Sequence, residues 1–190
     1  MDHRNPDALK FLAQRRSHPP KLLTGPAPDR SEIMQLLKLA ARVPDHGKLE
    51  PWRFVVLQRE TLDRLAPILR QEVLASGQDA AAAEKAASAF ASPLVVAVIS
   101  SPVDSPKIPE WEQFLSAGAV CLGLVNAALA SGWGAAWLTG HAAANKGFGQ
   151  AHLGLAEHER VAGLIHIGTR GETPPERPRP DLDTKTTWLA

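Results

Sequence analysis

Three consecutive residues, Arg15-Arg16-Ser17, set two guanidinium groups and a hydroxyl side by side at the end of a short apolar-periodic segment. Arginine presents a rigid fork of donors that matches phosphate, and a serine hydroxyl adds one more donor. The same residues suit a second role, because cations at a helix C-terminus complement its dipole. A further cationic group follows in R-V-P-D-H, where Arg42 and His46 bracket Pro44 and Asp45. Two such clusters before residue 50 tip the reading towards a bound anionic ligand.

Other chemistries lack their signatures. No G-x-G-x-x-G follows a strand, and no G-x-x-x-x-G-K-[ST] occurs, so Rossmann and P-loop nucleotide binding lose their main support. The seven histidines are scattered, without H-E-x-x-H or a Cys–His cluster, so no metal site is expected. No serine sits in a nucleophile elbow. Tyrosine is absent, which removes any tyrosine acid or base.

The elements that must position the cationic groups follow from periodicity. Ala8, Leu9, Phe11 and Leu12 share one face of a helix over 7–14. Asp29 and Glu32 have capping-box spacing and open a second helix, whose face is Ile33, Leu36, Leu37, Ala40 and Ala41. Val43 precedes Pro44, so that helix should end there. Pro44, Gly47 and Pro51 then exclude helix and strand from the turn. Trp52 to Leu57 is β-rich and apolar, and Leu94 to Ser100 is a continuous apolar run suited to a central strand. Helices are expected over 61–75, with a kink or break at Pro67, over 79–90, over 110–131 and over 146–153. Short strands are expected in GAAWLTG and over 160–168. Without regular βαβ alternation, the fold class is α+β.

The 190 residues suit one domain spanning 1–190. With 21 basic and 20 acidic side chains, there is no field that would draw nucleic acid or an anionic membrane. The lone Cys121 and a charged N-terminus without an apolar core point to the cytoplasm. No charged residue lies between Glu112 and Lys146, a stretch long enough to span a bilayer. It is rich in Ala, Gly and Ser, and Ala119, Gly123, Ala127 and Ser131 make a shallow stripe. A fully buried helix packed on a partner helix fits better than a membrane span. The proline-rich end, 171–190, finishes with Trp188 and Leu189, apolar enough to pack on a neighbouring subunit.

Taken in order, RRS, R-x-P-D-H, PWRFVVL, WEQFLSAGAVCLGLVNAALASGWGAAWLTG and GLIHIGT resemble the nitroreductase family of flavoproteins, and most closely its small bacterial YdjA-like branch. The resemblance implies an α-β-α sandwich around a mixed or antiparallel sheet, in an intertwined homodimer with two FMN sites at the interface. It implies an oxidoreductase that takes hydride from NADH or NADPH and passes it to a small electron acceptor. Arg15, Arg16 and Ser17 would contact the FMN phosphate, ribityl chain or ring edge. Arg42 and His46 would reach the flavin of the other subunit, Trp137, Leu138 and Thr139 would lie along it, and Arg170 could reach the phosphate. Ala127, Ala128, Leu129, Ala130, Ser131 and Gly132 match a stretch linked to nicotinamide binding. Lys107 and Trp111 would flank the pocket mouth, where Trp111 could stack on a flat substrate or simply pack. The alternatives are a non-catalytic flavin- or anion-binding dimer, and a flavoenzyme with one specific metabolite.

Overall fold

The computed structural model describes residues 3–172 and 174–189. Met1, Asp2, Thr173 and Ala190, at the ends of the chain and in the proline-rich segment, lie outside the described residues. Among the described residues, five strands form one antiparallel sheet: β1 (Leu23–Thr24), β2 (Trp52–Gln58), β3 (Leu94–Ser100), β4 (Gly134–Leu138) and β5 (Arg160–Arg170). Their order is β1-β5-β3-β2, and β4 also pairs with β5. β5 is long enough to serve three neighbours. It pairs with β3 along one side, and with β4 (Leu138↔Leu164 to Gly134↔Gly168) and then β1 along the other.

Helices cover both faces, giving the α-β-α layering. α2 (Arg30–Ala40) and α5 (Glu110–Ala130) pack on one face; α3 (Arg59–Ala75), α4 (Ala80–Ser88), α6 (Gly140–Ala144) and α7 (Lys146–Leu153) lie on the other, while α1 (Pro6–Gln14) buries none of its residues. β3 is buried throughout and feeds both cores alternately: Leu94, Val96 and Val98 towards α5, and Val95, Ala97 and Ile99 towards α3. A register shift beside Val98 and Ile99 lets β5 reverse its alternation. Gly163, opposite Val98 and in step with Ile165 and Ile167, faces α5, where an added Cβ would lie 2.7 Å from Trp137 Cδ1 and 2.9 Å from Cys121 Sγ.

The capping box forms as its spacing predicts: Glu32 N donates to Asp29 Oδ1 at 2.8 Å and Asp29 N to Glu32 Oε2 at 2.9 Å. Several sequence expectations need correction. α2 ends at Ala40, earlier than the Val43–Pro44 boundary. α3 runs unbroken through Pro67, held by buried Leu62, Leu65, Leu69 and Val73 on either side of it. The turn before β2 is not wholly irregular, because His46–Lys48 forms a single 3-10 turn. Asp45 holds that turn by accepting from Leu49 N at 3.2 Å and Glu50 N at 2.8 Å. α5 is not buried all round. Its Gly123 lies against α2, where a Cβ would be 3.0 Å from Ala40 O, but Trp111, Leu115 and Leu122 on its other side are exposed. α5 is long and apolar enough to cross a bilayer, yet 56% of its most apolar stretch is buried against the fold.

Candidate functional site

β4 is the sheet's outer strand along 164–168, and the anion-binding candidates gather at its beginning. α1 ends at Gln14, and the chain then runs extended past β4, with His18 N donating to Ala135 O at 2.9 Å. That bond sets Arg15, Arg16 and His18 beside the last residue of β5. Arg15, Arg16, His18, Leu129 and Arg170 line one hollow of about 260 Å³ with Phe11 and Gln14. Arg15 Nη2 donates to Ser17 Oγ at 3.3 Å, which ties Ser17 to the same group.

Two polar atoms in this hollow are buried without partners among the described residues, Arg15 Nε and His18 Nδ1. A buried donor left unpaired is costly, so the hollow suits a ligand rich in acceptor oxygens. Burial, and then the charge of Arg170, hold the His18 imidazole below its ordinary pKa. A neutral His18 can offer its ring without adding a fourth cation. The segment after Glu172 also reaches the hollow. Arg16 Nη1 donates to Pro175 O and lies 3.8 Å from Glu176 Oε2, while Arg179 Nη2 donates to Ala13 O at 2.8 Å.

The remaining candidates lie elsewhere. Trp137, Leu138 and Thr139 follow along β4, with Trp137 and Thr139 exposed. Arg42 is exposed just after α2. His46 borders a separate hollow with Pro44, Glu112, Leu115, Ser116 and Ala119, and its Nδ1 is 2.7 Å from Glu112 Oε2. The two R-x-P-D-H groups are therefore not gathered with Arg15 and Arg16 within one chain. Ala127 and Ala128 are core residues of α5, Leu129 lines the hollow, and Ala130, Ser131 and Gly132 are exposed at the turn. Lys107 and Trp111 are both exposed, on the loop before α5 and in its first turn.

Arg53, the second residue of β2, is structural. It makes a two-pronged pair with the buried Glu159, Nε to Oε1 and Nη2 to Oε2, both at 2.6 Å, and also donates to Gly154 O. The Arg53 hydrogen bonds hold the Glu159 carboxyl well below the usual range, at about 2. His18 escaped sequence reasoning, although it directly follows the clamp residues; only the fold shows that it joins the lining of the hollow.

Residues 12–169 match the nitroreductase family. The chain belongs to that family. It is 34% identical over 164 residues to the Escherichia coli K12 protein named "Putative NAD(P)H nitroreductase YdjA", covering 86% of this chain and 88% of the relative. It is 37% identical over 182 residues to the Haemophilus influenzae "Putative NAD(P)H nitroreductase", covering 94% and 96%. A solved Bacteroides fragilis nitroreductase with bound FMN has the same fold, with a TM-score of 0.73 at 16% identity over 98% of this chain and 100% of that one. The nitroreductase fold accounts for the antiparallel sheet and the two helical layers described above.

Proposed function

We propose that this nitroreductase-family chain is an FMN-dependent oxidoreductase that takes hydride from NADH or NADPH by a ping-pong mechanism and reduces nitroaromatic, quinone-like or other small acceptors. The observation that carries this reading is the hollow at the start of β4. Three guanidinium groups, Arg15, Arg16 and Arg170, converge there with unpartnered buried polar atoms. The names of the YdjA and Haemophilus influenzae relatives, and the FMN in the Bacteroides fragilis structure, supply the identity of cofactor and donor.

FMN, when bound, supplies the two-electron chemistry. The chain's residues bind and orient it. Arg15, Arg16 and Arg170 take the phosphate, and Ser17 adds a hydroxyl. Trp137, Leu138 and Thr139 line its course along β4. Of the 127–132 stretch, the exposed Ala130, Ser131 and Gly132 are free to meet the nicotinamide donor, and the exposed Lys107 and Trp111 serve the acceptor. Arg42 and His46 do not line the hollow of their own chain, which fits a role at the flavin of a second subunit. The exposed apolar residues of α5, Trp111, Leu115 and Leu122, form the face that a second copy would cover. Leu182, Trp188 and Leu189 near the chain's end are exposed as well and would extend that contact onto the partner.

The test is the visible spectrum of purified protein incubated with FMN, desalted, and then given NADPH without oxygen. Retained flavin absorbance that bleaches is the expected result. Flavin that stays bound without bleaching would remove the NADPH step. A colourless protein would sink the assignment of FMN to the arginine hollow.

A further inference from the structure

A second cavity lies on the other face of the sheet, away from the arginine hollow. It measures about 480 Å³ and sits between the α3–α4 pair and β5. Leu69 and Val73 of α3, Ala82 and Ala86 of α4, and Leu164 of β5 give it apolar walls. Lys85, Gln78 and His141 add polar groups to the lining. It shares no residue with the hollow of Arg15, Arg16 and Arg170, and shares only Leu138 and Thr139 with the residues assigned to FMN.

One polar side chain in this cavity is wholly buried. His166, at 0% exposure, lies on the same face of β5 as Leu164. Its Nδ1 is 2.8 Å from the hydroxyl of Ser92, which is equally buried and does not line the cavity. Its Nε2 has no partner among the described residues. The tautomer follows from counting donors and acceptors. If Nδ1 carried the proton, both the Ser92 hydroxyl proton and the Nε2 lone pair would be left without partners. If the Ser92 hydroxyl donates to Nδ1, only one group is left wanting, the Nε2–H. Burial pushes the imidazole pKa down to about 4, so at neutral pH the ring is uncharged.

We propose that this cavity is a binding site for an uncharged, largely apolar small molecule with one hydrogen-bond-accepting oxygen, which takes the Nε2–H of His166. Apolar walls with a single placed donor are what such a ligand requires. A buried donor that a ligand satisfies also discriminates against an analogue lacking the acceptor, which leaves the donor unpaired. The proposal does not rest on FMN, although the shared wall at Leu138 and Thr139 sets the ligand next to the segment assigned to it.

The probes are 2-acetylnaphthalene, which carries one carbonyl, and 2-ethylnaphthalene, which carries none. Each is titrated calorimetrically into the full chain, with and without saturating FMN. Histidine-labelled protein is followed in parallel by nitrogen-15 NMR. The ketone is expected to bind about tenfold more tightly than the hydrocarbon and to shift a single Nε2–H resonance. His166→Phe should erase that preference, and His166→Gln, whose amide can place a donor near the same point, should restore part of it. Ala86→Phe should block both probes, and Arg170→Ala should leave both unchanged. Ketone binding no tighter than the hydrocarbon, no binding up to the solubility limit, or equal binding in Ala86→Phe would overturn the proposal. So would displacement of the ketone by FMN, since the cavity would then belong to the flavin seat. A chain that binds the ketone but no FMN would retain this site and lose the redox reading.

Discussion

At the scale of single residues, the arginine hollow sets the strongest expectation. Each charge-assisted hydrogen bond to a phosphate is worth about 1.5–3 kcal/mol, and about 1.4 kcal/mol is tenfold in affinity. Arg170→Ala should therefore weaken FMN binding by roughly 10- to 100-fold while leaving the thermal transition nearly unchanged; flavin fluorescence quenching measures the first and calorimetry the second. An unaltered Kd would remove Arg170 from the phosphate site. Arg15 and Arg16 are adjacent in the sequence and could be singled out by type. Arg170 and His18 join them only because β5 ends beside the strand that His18 bonds to, a relation no local pattern contains.

Among the elements, the contact between β5 and α5 is the least forgiving. Gly163 leaves room for the Trp137 ring and the Cys121 thiol, and burial pushes that thiol's pKa up to about 12, so it stays protonated. Gly163→Ala should force the ring outwards, costing about 1–3 kcal/mol. Urea melts and a shifted tryptophan emission would register this, and wild-type values of both would refute the tight contact. Elements with strong internal signals were legible: the capped α2, the all-apolar β3, and the breakers ahead of β2. β1 has only two residues and α6 only five, too few for any periodicity, and both exist because β5 and the α3–α4 layer receive them. Pro67 misled in the opposite direction, since four buried residues of α3 outweigh one missing backbone donor.

For the whole molecule, acid stability should fall in two windows. His166 is held neutral, so stability is full above its ordinary value of 6.5 and declines as pH falls from there through about 4. Glu159 is held ionised, so its contribution is full above 4.5 and is lost as pH falls through about 2. Glu159→Gln should cost about 2 kcal/mol at pH 7 and progressively less below pH 4.5 in denaturant melts. A cost that does not change with pH would deny that the carboxylate charge is responsible. Assembly is a second whole-molecule expectation. Leu115, 62% exposed on α5, should lie within the contact between two copies, and Leu115→Glu should give monomers in light scattering and a lower flavin content. A variant that remains dimeric would place the contact on another face. The order of the strands also bears on how the chain is made. β2 and β3 can pair once Ser100 has emerged, but β1, β4 and the second edge of β3 all wait for β5, the last of the strands among the described residues. Until Arg170 emerges, β1 and β4 have no partner and the apolar β3 keeps one edge open, so the nascent chain passes through a long interval in which chaperone capture competes with misassembly.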